Sequence, residues 1–183
     1  MDNLKIKLVN KNNGICKKVP CKPFLDLACV IVTTDESTAF QYDPKLFEDV
    51  LKATEDDYVV LTMYETIVKY CNVPEDDSFL LSLEMLSEDL PLLSITNTAH
   101  SSGAATMLNN KALKEAAERL NTNDLLIIPC STDEILVSPA SMEIDSLKEI
   151  IHHVNTTEVP KELFLSDSVY KYVGGDDKVI IVA

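Results

Sequence analysis

The chain has 183 residues, 46% of them apolar, and a formal net charge of −14. That length predicts one domain able to bury its own core. The negative field argues against binding to nucleic acid and to anionic membrane surfaces. No apolar stretch approaches the roughly 18–20 residues that span a bilayer, and we expect no signal peptide. Five cysteines at irregular spacing favour reduced thiols and a cytoplasmic location.

The charge is unevenly distributed along the chain. Residues 1–22 carry six lysines against one aspartate, whereas residues 23–183 carry ten basic and 29 acidic residues. We interpret the lysines as a solvated edge beside an acidic body. The alternative is a docking arm for an acidic partner. The lysines concerned are Lys5, Lys7, Lys11, Lys17, Lys18 and Lys22.

The first 33 residues predict two strands. Alternation over Lys5–Val9 indicates an edge strand, and residues 11–22 form a turn-like segment with a short helix at most. Phe24–Thr33 is almost wholly apolar and β-branched, which predicts a buried strand. Its single charge, Asp26, must lie at an edge or find a partner.

Two helices are predicted next. Asp43 as N-cap and Pro44 at the first helical position begin one of them. A second is expected over Tyr58–Cys71, followed by a loop at Asn72–Asp77. The apolar face of the first helix consists of Leu46, Phe47, Val50 and Leu51.

The second half begins with a predicted hairpin and a helix. Strands are expected at Leu92–Thr96 and Ala104–Leu108, joined by the loop NTAHSSG. Asn109 or Asn110 then caps a helix. Its apolar residues recur at helical spacing: Leu113, Ala116, Ala117 and Leu120.

A second hairpin follows. Asp124–Pro129 and Glu134–Val137 are its predicted strands, and Cys130–Asp133 is the turn. Pro160 begins a short helical or irregular segment, and Lys178–Val182 is a last strand. Between them a helix is expected from Leu147, Ile150, Ile151 and Val154.

This order of elements predicts an α+β fold, with a mainly antiparallel sheet built from hairpins and helices packed on it. We expect residues 1–183 to form a single domain, with 1–74 and 75–183 as an alternative division into sub-lobes.

Several segments resemble the uncharacterised bacterial family catalogued as domain of unknown function 5688, found in gut Firmicutes. They are KLVN at 7–10, VP at 19–20, FLDLACV at 24–30, GAATML at 103–108, LLIIPCSTDEILVSP at 125–139 and VNTTEVPKELFLSDSVYKY at 154–172. The resemblance covers nearly the whole chain and implies a bacterial, cytoplasmic setting. It implies no activity, cofactor or catalytic residue. Relatives usually carry a helical segment before the first strand, serine in place of Cys130 and a histidine near Asp133.

Cys130 is the first candidate for chemistry. A nucleophilic cysteine needs a cation, a histidine or a helix N-terminus to lower its pKa. The nearest cations in sequence are Arg119 and Lys148, and Asp133 and Glu134 have the wrong sign. Only His100 could activate it, if the two loops meet. A turn of small polar residues is the plainer interpretation, with Ser131, Thr132 and Asp133 as weak candidates for ligand binding.

No metal site and no cofactor are predicted. Cys16, Cys21 and Cys29 lack paired C-x-x-C spacing. His152 and His153 are adjacent and would point about 100° apart on a helix. The acidic clusters lack the spacing of a calcium loop, and neither common glycine-rich nucleotide loop is present.

Three classes of function remain. The favoured one is a non-catalytic cytoplasmic interaction domain whose acidic body neutralises a basic protein partner, by analogy with immunity proteins and antitoxins. The second is a hydrolase or transferase using Cys130 with His100. The third is a regulatory domain that binds a small ligand or a metal. Whether the protein is an enzyme is left open, although the residues favour a protein without catalytic activity.

Overall fold

The computed structural model describes residues 3–70, 81, 84–85, 91–129, 131–157 and 159–183. The strands of these residues are β1 Leu4–Asn10, β2 Lys22–Phe24, β3 Leu27–Thr33, β4 Ala39–Phe40, β5 Val59–Thr62, β6 Leu93–Thr96, β7 Asp124–Ile128, β8 Ile135–Pro139, β9 Tyr170–Val173 and β10 Lys178–Ile181. The α-helices are α1 Pro44–Ala53, α2 Met63–Tyr70, α3 Asn110–Arg119 and α4 Ile144–Thr157. Short 3-10 helices occupy Gly14–Lys17 and Gly103–Leu108.

The strands form two sheets. The first has the order β1-β3-β2, with β4 also paired to β3, and the second has the order β10-β9-β7-β8-β6-β5. Every described pairing is antiparallel. The α+β prediction is therefore confirmed, and β1 lies at an edge of its sheet as expected. In the described part of the chain, no helix is long and apolar enough to cross a membrane.

One apolar core joins the two sheets. Side chains of β1 and β3 pack in the same cluster as those of β5 to β9, α1 and α3. Alternation along β7 separates its two faces: Leu125 and Ile127 belong to this core, while Leu126 and Ile128 pack with Leu147 of α4. Helices α3 and α4 therefore cover opposite faces of the six-stranded sheet.

The predicted strand Phe24–Thr33 is interrupted. Residues Leu25 and Asp26 form the two-residue turn of the β2–β3 hairpin, in which Phe24 pairs with Leu27. Leu25 takes the left-handed conformation, with φ of 56°. Leu25, and not glycine or asparagine, occupies the left-handed position, so the sequence lacks the usual signal of a two-residue hairpin.

The predicted helix at Tyr58–Cys71 is wrong over its first residues, which form β5. Helix α2 begins after Thr62, where Glu65 N–H donates to Thr62 Oγ1 at 3.1 Å and Thr62 N–H donates to Glu65 Oε2 at 2.7 Å. This reciprocal capping box sets the boundary. The predicted loop at Asn72–Asp77 lies outside the described residues.

The predicted strand at Ala104–Leu108 is also wrong, because that segment forms a 3-10 helix. Thr106 Oγ1 donates to the Gly103 carbonyl at 2.7 Å. The helices starting after Asp43 and Asn109 are confirmed. The hairpin of β7 and β8 is confirmed, and so are α4 and β10. Strand β9 was not expected from the sequence.

Candidate functional site

The loop after β6 meets the turn between β7 and β8, at a place we call the junction (residues 97–103 and 131–134). Thr96 Oγ1 donates to the Asp133 carbonyl at 2.6 Å and lies 3.4 Å from His100 Nδ1. Since the single hydroxyl proton goes to the carbonyl, a hydrogen bond between Thr96 and His100 requires the tautomer that carries the proton on Nδ1. Ser102 N–H donates to Asp133 Oδ1 at 2.8 Å. His100 therefore reaches the turn through Thr96.

Gly103 makes this close approach feasible. A Cβ at this position would overlap Thr96 Oγ1 and the carbonyl oxygen of Asp133. The residue has no side chain to place there, so the two loops can touch.

His100 is half-buried at the junction. Its ring packs on Tyr70 with centroids 3.7 Å apart and an interplanar angle of 35°. Its φ of 49° places it in the left-handed region, which a non-glycine residue adopts at a cost. The ring is thus held by a stacking partner on one side and by Thr96 on the other.

The residues of the turn use their polar groups within the fold. Ser131 Oγ accepts from Asp133 N–H at 3.0 Å. Thr132 is fully buried, its N–H donating to the Leu163 carbonyl at 3.0 Å and its carbonyl accepting from Ala104 N–H at 3.1 Å. Cys130 lies outside the described residues. The described turn therefore has the bonding of a structural connection.

A charged cluster beside the junction was not found from the sequence. Lys5 Nζ lies 2.8 Å from Glu36 Oε1, and Lys7 pairs with Glu36 Oε2. Ser101 Oγ and Ser102 Oγ donate to Glu36 Oε1 at 2.8 and 2.7 Å. Burial raises the pKa of Glu36, but these partners outweigh burial and hold that pKa well below its ordinary value. The spacing of Lys5 and Lys7 on one strand face was the only available signal.

A second carboxylate is enclosed by hydroxyl groups. Asp26 Oδ1 accepts from Tyr170 OH at 2.5 Å, and its Oδ2 accepts from Ser166 Oγ at 2.7 Å and Ser168 Oγ at 3.2 Å. Burial raises the pKa of Asp26, whereas these bonds lower it below its ordinary value. The carboxylate in this apolar segment therefore has the hydrogen-bond partners that a partly buried charge needs.

A small cavity of about 40 Å³ adjoins the junction, with Lys5, Asp57, Asn97 and Ser102 among its lining residues. This volume holds a few water molecules and is too small for a metabolite.

Cysteine and histidine side chains are the usual ligands of a zinc ion. Among the residues that the structure describes, no group of three or more His, Cys, Asp or Glu side chains could hold a metal ion. Cys16, Cys21 and Cys29 are free thiols, and His152 Nδ1 lies 4.0 Å from Asp167 Oδ1.

The basic N-terminal segment is partly engaged within the fold. Besides Lys5 and Lys7, Lys22 is engaged, because its Nζ lies 4.0 Å from the centre of the Phe47 ring. Lys11, Lys17 and Lys18 are exposed.

Carboxylates also gather where the end of α1, helix α3 and the β9–β10 turn come together. Lys114 pairs with Asp177 at 2.8 Å, and Lys111 pairs with Asp56. Five carboxylates surround these two lysines, so the group has three more carboxylates than lysines. We call this the acidic surface; its carboxylates are Glu55, Asp56, Glu115, Glu118 and Asp177.

Comparison with known proteins gave one family match. Searches of curated proteins and of solved structures found no match. The family model described as "Family of unknown function (DUF5688)" matches residues 32–173, which is more than half of the chain. The protein therefore belongs to the DUF5688 family.

Proposed function

We propose that this protein is a non-catalytic interaction domain that binds a basic protein partner through its acidic surface. The observation that carries the proposal is the contrast between the junction and that surface. At the junction, described polar groups bond one another, as Thr96, Ser102 and Asp133 do. On the acidic surface, carboxylates such as Glu55 and Glu118 are exposed.

Electrostatics supports the choice of partner. The formal net charge of −14 attracts basic molecules over a distance, and complementary charge raises association rates and selects partners. A lysine- or arginine-rich protein is the class of partner that fits a surface with this excess of carboxylates.

The family resemblance and the odd number of cysteines, five, favour a bacterial, cytoplasmic setting for this interaction.

Affinity capture from a lysate of the native host tests the proposal. The wild-type chain should retain a basic protein at low salt and release it at high salt, because screening weakens contacts between exposed charges. A double variant, Glu55→Gln with Glu118→Gln, should retain much less of the same protein.

The matched control removes two charges elsewhere: Asp145→Asn with Glu162→Gln. Both residues are exposed, and Asp145 lies on α4, across the sheet from α3. Equal loss of the captured protein in both double variants, or capture that does not change with salt, would count against the acidic surface as the docking site.

A second candidate function is favoured by one observation. The loop of His100 reaches the turn that follows Cys130, so a hydrolase or transferase using this pair stays in consideration. Alkylation of Cys130 followed against pH tests it. A thiolate that titrates well below pH 7 would support catalysis, whereas an ordinary cysteine pKa near 8.5 would remove this candidate.

A further inference from the structure

We propose that Lys5, Lys7, Ser101 and Ser102 form a binding site for a small carboxylate, which Glu36 of the same chain occupies. We call these four residues the carboxylate cradle. Both lysines and both hydroxyl groups converge on the carboxylate of Glu36, three of them on Oε1. Charge-assisted donors of this number are typical of a ligand site for an anion.

Most of the cradle has bonding partners other than Glu36. Lys5 Nζ also donates to the carbonyl and the hydroxyl of Ser101, at 3.3 and 2.9 Å. Ser101 N–H donates to Asn97 Oδ1 at 3.1 Å, and Ser102 N–H donates to Asp133 at 2.8 Å. Lys5 and the backbone of Ser101 and Ser102 therefore keep their positions when the carboxylate leaves.

Burial of Lys5 favours the binding of an anion. The residue is only 8% exposed. A buried ammonium that loses its partner is strongly destabilising. An empty cradle would consequently recruit a negative ion from solution.

Glu36 belongs to a short hairpin. It lies in the turn of the β3–β4 hairpin, where β4 has two residues and pairs only with Ile31 and Val32. Its φ of 59° is left-handed, which disfavours a residue with a side chain. The turn is closed by other bonds, such as Thr38 N–H donating to Thr33 Oγ1 at 3.2 Å, so replacing the Glu36 side chain leaves the hairpin its own contacts.

The space beside the cradle limits the size of the ligand. The cavity of about 40 Å³ is lined by both Lys5 and Ser102. Glu36 does not line this cavity, so the ligand is limited to the place vacated by the Glu36 carboxylate, which accommodates an ion the size of formate or acetate. The chemical class is therefore a small monocarboxylate.

Thermal unfolding of Glu36→Gly tests the proposal. Glycine suits the left-handed turn and leaves the cradle empty. At pH 7 and equal ionic strength, sodium acetate should raise its unfolding midpoint over sodium chloride by roughly 2–4 °C, in a saturable manner. Wild type and Glu36→Gln, whose side chains fill the cradle, should show no such difference.

Two further measurements keep the test decisive. If Glu36→Gly does not fold in chloride, the fraction refolded in acetate replaces the midpoint as the readout. The double variant Lys5→Met with Glu36→Gly should lose the effect of acetate. An equal acetate effect in all variants, or none in Glu36→Gly, overturns the proposal, and equal effects of chloride and acetate overturn the carboxylate class.

Discussion

At the scale of single residues, Asp26 is tied to the C-terminal part of the chain. Tyr170 is fully buried and Ser166 nearly so, and both donate to its carboxylate. Removing the acceptor leaves buried hydroxyl groups without a partner, which is the costly half of losing a hydrogen bond.

We therefore expect Asp26→Ala to lower the free energy of unfolding by about 2–4 kcal/mol. Urea denaturation measures this change. Asp176→Ala, at an exposed position in the β9–β10 turn, is the control and should change the free energy by less than about 0.5 kcal/mol. Similar values for both variants would mean that the Asp26 cluster adds no stability.

A second prediction at this scale concerns the thiols of Cys21 and Cys29. Burial, together with the neighbouring Cys16 thiol, raises the pKa of Cys21 to about 12, and burial raises the pKa of Cys29 to about 12. From an ordinary value of 9.0 this lowers the thiolate fraction at pH 7 about a thousandfold.

Iodoacetamide should therefore modify Cys21 and Cys29 far more slowly in the native protein than in urea, as peptide mass spectrometry can follow. Native rates equal to those in urea would show that the two thiols are accessible and that their pKa values are not raised.

At the scale of elements, the capping box of α2 fixes where strand β5 ends. Thr62→Ala removes the side-chain acceptor for Glu65 N–H and should destabilise the protein by about 1 kcal/mol. Thr62→Ser keeps the hydroxyl and should stay close to wild type. A loss as large in the serine variant would assign the effect to packing of the threonine methyl group.

Gly103 gives a sharper prediction at the junction. In Gly103→Ala, the new methyl group meets the Thr96 side chain and the backbone of Asp133. Because backbone cannot give way easily, we expect a loss of about 1–3 kcal/mol or more. Gly175→Ala, which meets nothing within 4 Å, is the matched control in the same denaturation experiment, and equal losses would contradict the close approach.

These elements also show what could be predicted from the sequence. The apolar run over Phe24–Thr33 indicated burial, but its turn at Leu25 lacks the usual residues. The spacing of Thr62 and Glu65 fits a capping box and would have placed the start of α2 correctly. The 3-10 helix after Gly103 depends on Thr96 and on Asp133, thirty residues further along, so local periodicity could not reveal it. The cradle around Glu36 likewise brings together residues far apart in sequence.

At the scale of the whole molecule, Glu36 links stability to pH. Its pKa is lowered in the folded protein from an ordinary value of 4.5. Its contribution is therefore fully present above about pH 4.5 and is lost as the pH falls towards the folded pKa. The difference in unfolding free energy between wild type and Glu36→Gln should be constant from pH 7 to 5 and shrink below pH 4. A difference that stays constant down to pH 3 would contradict the lowered pKa.

The charge of the molecule bears on the central claim, that the acidic surface binds a basic partner. The most direct test is the dissociation constant of the captured partner as a function of salt, for wild type and for Glu55→Gln with Glu118→Gln. We expect the affinity to fall steadily with salt, the double variant to bind about tenfold more weakly at low salt, and the two proteins to bind equally at high salt. Affinity that is independent of salt, or equal for the two proteins at low salt, would contradict it.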